Sequence, residues 1–418
     1  MPKLMSKIII VVESIDVNDS SATKGRVALI KNLSRCGYTV RVFHYTRKNI
    51  QIDGIECIAI PEKKISMFYL FSKLTLVFRR LTKINLTPFF EKRLGFSFAY
   101  FNDVNSIVKG LKKETDFNPN WVLTLSKAAS FRVHKALLKL PNWHSKWLAY
   151  VHDPFPMHFY PRPYNWVEPG YYQKQEFFRA VSVKSAHAIF PSQLLMEWMG
   201  SYYPDFLERG IVVPHQIAEA TAVSSKTPAY FKDSCFTILH AGSLMKPRNP
   251  SGLIEGFQQF LESNPEAKED SQLLFLGKKA YFESYLNQKQ TEIPQLYISD
   301  GYVSFNEVQT IQNTTSVNVI LEAKSEISPF LPGKFPHCVK ANKPILYLGP
   351  KQSEILRLLG ETYAFASQID DSNRIAKHIE KLYFNWKNNT VDRFLNRPDL
   401  DAYLSFNNLK ETFEKLNA

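Results

Sequence analysis

Short apolar runs recur along the chain, each followed by a polar loop and then by residues with helical periodicity. The first is Lys7–Glu13 (KIIIVVE), and Thr39–His44, Trp121–Leu125, Trp147–Val151, Ala188–Ser192 and Ile211–His215 follow it. A second series comprises Phe236–Gly242 (FTILHAG), Gln272–Gly277, Ser316–Ala323 and Ile345–Leu348. Runs that are apolar at nearly every position fit strands buried on both faces, as in parallel sheets. Between them, Gly25–Cys36 turns Val27, Ile30, Leu33 and Ser34 to one side, and Gly252–Leu261 does the same with Leu253, Ile254, Phe257 and Phe260. Residues 306–313, 353–359, 371–384 and 404–416 also read as helices. Strand and helix in alternation predict an α/β fold. Ala218–Ser234 has little periodicity and reads as a linker. The expected organisation is two Rossmann-like domains, 1–217 and 235–400, joined by 218–234, with 401–418 forming a helix.

The stretch from Ser325 to Leu348 carries the most chemistry. The strand Ser316–Ala323 leads into a polar loop with Glu326, and Pro332-Gly333-Lys334 then opens a short helix. Pro336 falls in its first turn, where proline is tolerated. Asn342 is suited to a left-handed stop, and Pro344 ends the helix before the next strand. In an open parallel sheet, ligands bind at the carboxyl ends of the strands, and a helix N-terminus favours anions. A carboxylate and a lysine at that edge suit a ligand with both hydroxyls and phosphate. A second basic loop, Gly242-Ser243-Leu244-Met245-Lys246-Pro247-Arg248, follows Phe236–Gly242. His152 and Asp153, at the end of Trp147–Val151 and before Pro154, would face a cleft.

These segments resemble retaining GT-B glycosyltransferases of family 4. Pro332-Gly333-Lys334, His337 and Asn342-Lys343-Pro344 stand where many members carry Pro-x-Lys, a glutamate and Gly-Lys-Pro. Gly242, Leu244 and Arg248 match the family's Gly-Arg-Leu loop with its second basic residue, and Ser243 replaces the first arginine. Gly301-Tyr302-Val303 is similar to its Gly-x-Val turn, and Gly37-Tyr38-Thr39-Val40 to the start of its second strand. The paired glycines of many first loops are absent, and Ser20-Ser21 occupy that region. The resemblance implies a GT-B architecture, with two parallel-sheet domains facing a central cleft and the C-terminal helix crossing back to the first. It implies that Arg248 and Lys334 carry the charge of the donor diphosphate, and that His152 lies near the reacting sugar. Donor contacts would come from Gly242, Ser243, Glu326, Ser328, Gly333, His337 and the backbone of Tyr302 and Val303. Asp153 would lie on the acceptor side.

Composition agrees with this picture without specifying it. The 418 residues suit two or three domains, and 44% hydrophobic residues suffice for large cores. Four dispersed cysteines have no metal or disulfide spacing. No run approaches a membrane span, and no signal peptide is apparent. A net charge of +13 calls for an anionic partner. Its basic residues are dispersed without aromatic interleaving, which argues against nucleic acid. Between Lys63 and Arg93, Leu70, Leu74, Val77, Phe78 and Leu81 share a helical face largely opposite Lys73, Arg79, Arg80 and Lys83. That segment reads either as a helix resting on an anionic bilayer or as an ordinary packed surface helix.

The expected activity is retaining transfer of a sugar from a nucleoside-diphosphate donor (UDP- or GDP-sugar) to a glycan or lipid-linked acceptor, in surface polysaccharide or glycoconjugate synthesis. No Asp-x-Asp motif occurs, so neither a metal nor another cofactor is expected. The expected location is cytoplasmic, with peripheral attachment to the inner face of the plasma membrane through Lys63–Arg93. A nucleotide-sugar epimerase and a non-catalytic GT-B subunit are the alternatives on the same fold.

Overall fold

The computed structural model describes residues 6–157, 161–164, 166–218 and 227–417. Of the expected linker, residues 219–226 lie outside that set. The described residues form two compact units, one from 6–157, 164, 166–218 and 406–417, the other from 161–163 and 227–405.

The first unit is built on a seven-stranded sheet of order β3-β2-β1-β4-β5-β6-β7. Its strands are β1 (Lys7–Val12), β2 (Thr39–His44), β3 (Glu56–Ala59), β4 (Trp121–Leu125), β5 (Trp147–Tyr150), β6 (His187–Phe190) and β7 (Gly210–Val212). All neighbours run parallel. Alternate residues of β1 enter cores on opposite faces. Ile9 and Val11 join one cluster, and Ile8, Ile10 and Val12 join another with α1 (Ser21–Arg35). Double-sided burial is why these strands lack polar alternation. Three more helices, α2 (Met67–Thr82), α3 (Thr87–Leu94) and α4 (Phe98–Leu111), lie between β3 and β4.

The second unit repeats the plan with a six-stranded parallel sheet of order β10-β9-β8-β11-β13-β15. Its strands are β8 (Phe236–Ala241), β9 (Ser271–Leu276), β10 (Leu296–Ile298), β11 (Val317–Leu321), β13 (Ile345–Leu348) and β15 (Ala366–Ser367). A short pair, β12 (Ile327–Ser328) and β14 (Gln352–Ser353), stands apart. Helices α5 (Ser251–Ser263) and α8 (Ser372–Lys387) cover one face; α6 (Phe305–Thr314) and α7 (Phe335–Lys340) contribute to the other. In both sheets the chain reverses its direction of build-up beside the first strand, between β1 and β4 and between β8 and β11. Such switch points leave a crevice at the carboxyl ends of the strands.

The last helix, α9 (Phe406–Leu416), belongs to the first unit. Leu409 and Phe413 are buried in the cluster of β1 and α1, with the Phe413 ring edge-on to Tyr38 at 6.0 Å. Trp121 Nε1 donates to Asn417 Oδ1 at 2.8 Å. Phe413→Ala should therefore destabilise the first unit by ~3–5 kcal/mol. Urea unfolding followed by tryptophan fluorescence measures this, and a change below about 1 kcal/mol would show that α9 docks too weakly to matter.

Candidate functional site

The crevice between β8 and β11 collects most of the charged residues singled out in the second unit. β8 and β11 pair only through Val317 with Ile238 and Asn318 with Leu239. Beyond that point their carbonyls lack a strand partner, and Lys334 supplies one. Its ammonium donates to Ala241 O at 3.2 Å and Val319 O at 3.1 Å. Burial pushes its pKa down to about 8, and the nearby Arg248 charge adds to the lowering.

Gly242 follows β8 directly at φ +139°, a backbone conformation that side chains rarely adopt, and its N–H donates to Leu276 O at 2.8 Å. The loop then buries Leu244 and leaves Ser243 and Lys246 exposed. Arg248 is half-buried, and its Nε is covered with no hydrogen-bond partner among the described residues. Burial lowers the pKa of His240, which lies in β8 against Phe275, and the charges of Lys334 and Arg248 add to the lowering. Loops almost ninety residues apart in sequence thus bring two cations to one sheet edge.

Between them lies a residue absent from the sequence-based set. Glu322 follows β11 directly and is 3% exposed. It accepts hydrogen bonds from Ser328 Oγ at 2.9 Å and Tyr347 OH at 2.6 Å. Burial raises its pKa to about 7, against the opposing hydrogen bonds and the charges of Arg248 and Lys334. An acid closing an otherwise apolar strand was the signal for it. Glu326, the carboxylate chosen from the sequence, has an exposed side chain in the following loop, where its N–H donates to Arg162 O at 3.2 Å. Ser328 is buried with its hydroxyl on Glu322.

The helix expected to open at Pro332-Gly333-Lys334 begins at Phe335 and is six residues long. Phe335 N–H is used on Pro332 O, and Pro336 has none to offer, so little of its N-terminus is free for an anion. Gly333 lies exposed in the preceding turn. Asn342 ends the helix in the left-handed conformation, φ +51°. His337 is mostly covered, with the Phe305 ring edge-on at 5.5 Å and its Nδ1 unpaired among the described residues. Burial lowers its pKa to about 4, so it is neutral where the resembled family has a carboxylate. Gly301 has φ +89°, Tyr302 is 74% exposed, and Val303 packs beside Leu239 and Ile311.

In the first unit, His152 and Asp153 follow β5, with His152 Nε2 3.3 Å from Asp153 Oδ2. Burial lowers the His152 pKa, Asp153 opposes this, and Arg26 adds to it. His152 also lies 5.7 Å from the Phe131 ring, measured between centroids. The same sheet edge holds a network the sequence did not reveal. Buried Glu13 accepts from Ser130 Oγ and from Arg132 N–H at 3.2 Å, and Arg132 pairs with Asp103 at 3.0 Å. Arg47 pairs with the same Asp103 at 2.6 Å. Among the described residues, no group of three or more His, Cys, Asp and Glu side chains is arranged to hold a metal ion.

No protein-family model and no curated protein sequence matches the chain. Solved structures match it in fold. A trehalose-6-phosphate synthase, OtsA, covers 98% of this chain and 98% of its own, with a TM-score of 0.65 and 13% identity. An α,α-trehalose-phosphate synthase (UDP-forming) from Burkholderia xenovorans, solved with glucose-6-phosphate, covers 98% and 99% at TM-score 0.63 and 10% identity. Anabaena HepE, solved with UDP and glucose, covers 98% and 99% at TM-score 0.59 and 11% identity. At such identities the likeness is one of fold, the α/β GT-B class with two parallel sheets.

Folding takes up a proton at Glu322 between about pH 4.5 and 7, so its contribution to stability falls as pH rises through that window. Lys334 releases one between about pH 8 and 10.5, where its contribution rises. Glu322→Gln should flatten the fall between about pH 4.5 and 7 in urea-derived stability. An unchanged slope would mean that Glu322 titrates normally.

Proposed function

We propose that the chain is a retaining, family-4-like glycosyltransferase of the hexosyltransferase type, taking its donor sugar from a nucleoside diphosphate, UDP or GDP. The observation that carries this reading is the pairing of Arg248 with Lys334 at the β8/β11 switch point. A leaving diphosphate gains negative charge as the glycosidic bond breaks, and fixed cations already in place stabilise that charge. The GT-B neighbours support it, among them one solved with UDP and glucose and one that is UDP-forming. The pattern Pro332-Gly333-Lys334, His337 and Asn342-Lys343-Pro344 supports the family-4 character.

In this reading Arg248 and Lys334 hold the diphosphate, and two fixed cations meet its charge without a divalent ion. Gly242 and Ser243 let the backbone approach the phosphates; Gly333 lies beside Lys334. Glu326, and Ser328 through Glu322, serve the sugar side. Tyr302 and Val303 border the base, with neutral His337 towards the ribose. The first unit holds the acceptor, a glycan or a lipid-linked sugar, with His152 and Asp153 as its contributors. The product would belong to surface polysaccharide or glycoconjugate synthesis at the cytoplasmic side of a membrane.

Turnover with a panel of UDP- and GDP-sugars tests the assignment, and an epimerised donor or no reaction with any of them would overturn it. With the working donor, Arg248→Ala should lower kcat by roughly a hundred-fold or more. Near-normal turnover would remove Arg248 from the mechanism. Lys334→Ala carries a further cost: its buried ammonium satisfies two main-chain carbonyls, so this variant loses stability as well as activity.

Binding of UDP alone gives an independent check. A diphosphate favours protonated Lys334, whose free-state pKa is about 8. Affinity should weaken above about pH 8, approaching tenfold per pH unit. A flat calorimetric Kd from pH 7 to about 9.5 would place the anion elsewhere.

A further inference from the structure

On α2 the usual arrangement of a surface helix is inverted. Its inward positions are Phe68, Phe71, Ser72 and Thr75, none of them fully buried, with the Phe71 ring 5.3 Å from Phe98 of α4. Phe68 meets Phe101 of α4 at 5.2 Å, while the two hydroxyls turn back on their own helix, Ser72 to Tyr69 O at 2.7 Å and Thr75 to Phe71 O at 3.0 Å. The apolar stripe, Met67, Leu70, Leu74, Val77 and Leu81, follows the spacing of one helical face and points outward. Leu70 is 56% exposed, Leu74 53% and Leu81 79%. No residue of α2 or α3 is buried, and Ile84 and Phe89 extend the exposed apolar surface.

An unpartnered apolar surface of this extent marks an interface. Its charges select the occupant. Residues 63–93 contain eight Lys and Arg and a single acid, Glu91. Contrary to the expectation that all four cations lie opposite the stripe, Lys73 shares a helical row with Leu70 and Val77 and Arg80 continues it, while Arg79 and Lys83 fall on the far side. Lys73 and Arg80 thus border the stripe where their stems can lie along it and their heads reach outward. A second copy of the chain would set the same cations against each other as water is excluded. A nucleic acid would leave the leucines and valine uncovered. An anionic lipid surface meets both requirements, apolar in its acyl region and negative at its headgroups. No helix among the described residues is long and apolar enough to cross a membrane.

We propose that α2 and α3 form a peripheral docking surface for an anionic lipid bilayer, with Met67, Leu70, Leu74, Val77 and Leu81 at the acyl boundary and the flanking cations among the headgroups. This inference stands on the first unit alone and is independent of the reaction the chain performs.

Co-sedimentation of the full chain with sucrose-loaded vesicles tests it. Vesicles of equal parts phosphatidylcholine and phosphatidylglycerol should bind at least about tenfold more protein than phosphatidylcholine alone, and less as salt rises. Lys73→Glu, Arg79→Glu, Arg80→Glu and Lys83→Glu together should weaken binding about a hundred-fold or more. Leu70→Ser, Leu74→Ser and Leu81→Ser together should do likewise while leaving the thermal midpoint unchanged. Absence of sedimentation with the anionic vesicles would overturn the proposal. So would unaltered binding by either variant. A concentration-dependent dimer abolished by the leucine variant would assign the surface to a second copy instead, and oligonucleotide binding abolished by the charge variant would assign it to nucleic acid.

Discussion

One covered ammonium bridges the place where the second unit's sheet opens. Where β8 and β11 part, the carbonyls of Ala241 and Val319 need donors, and Lys334 reaches both from the turn before α7. A buried carbonyl without a partner costs about as much as a lost hydrogen bond. Lys334 therefore closes the opening in the sheet and at the same time puts positive charge at the point where a parallel sheet receives ligands. Structure and charge at this crevice cannot be changed independently.

The surrounding groups show how incompletely that charge is compensated. Glu322 acts on Lys334 as a counter-charge, but it is engaged by Ser328 and Tyr347, and burial shifts it towards its neutral acid. The same desolvation shifts Lys334 towards its neutral amine. Burial thus outweighs mutual attraction for both groups, as it does when paired charges lack a full set of hydrogen bonds. Arg248, with its covered Nε unpaired, is the third member. An anion entering here would favour the charged form of Lys334 and give Arg248 a partner.

Several strands were legible residue by residue. Thr39–His44, Trp121–Leu125 and Ile345–Leu348 form as their patterns predict. The strands of the two main sheets that the pattern did not predict, β3, β10 and β15, lie at sheet edges, and the last two are only three and two residues long, too short for a periodicity. Motif order brought Arg248 and Lys334 into the same proposal before any geometry was known. It did not distinguish Glu322 from Glu326, because the choice depends on where β11 ends and which way the next side chain turns. The apolar stripe of α2 was equally plain in the sequence. Its outward orientation was not, since a helical wheel shows that two faces differ without showing which one packs on α4.

The two sheets share one strand order but not one charge balance. At the carboxyl edge of the first, Arg132 is held between Glu13 and Asp103, and Arg47 also rests on Asp103. Lys48 pairs with Asp16 and Lys127 with Asp19, so each of these cations has a carboxylate of its own unit in reach. At the edge of the second, Arg248 and Lys334 share one carboxylate that is itself half-neutral near pH 7. A phosphate meets compensated charge at the first edge and surplus positive charge at the second. That difference, rather than topology, is what the proposed nucleotide site on the second unit rests on. The same logic extends to α2, where the cations again lack acids but are bordered by apolar side chains in place of a crevice. In a chain with a net charge of +13, positive charge thus stands in two kinds of surroundings, one suited to a soluble phosphate and the other to a lipid headgroup.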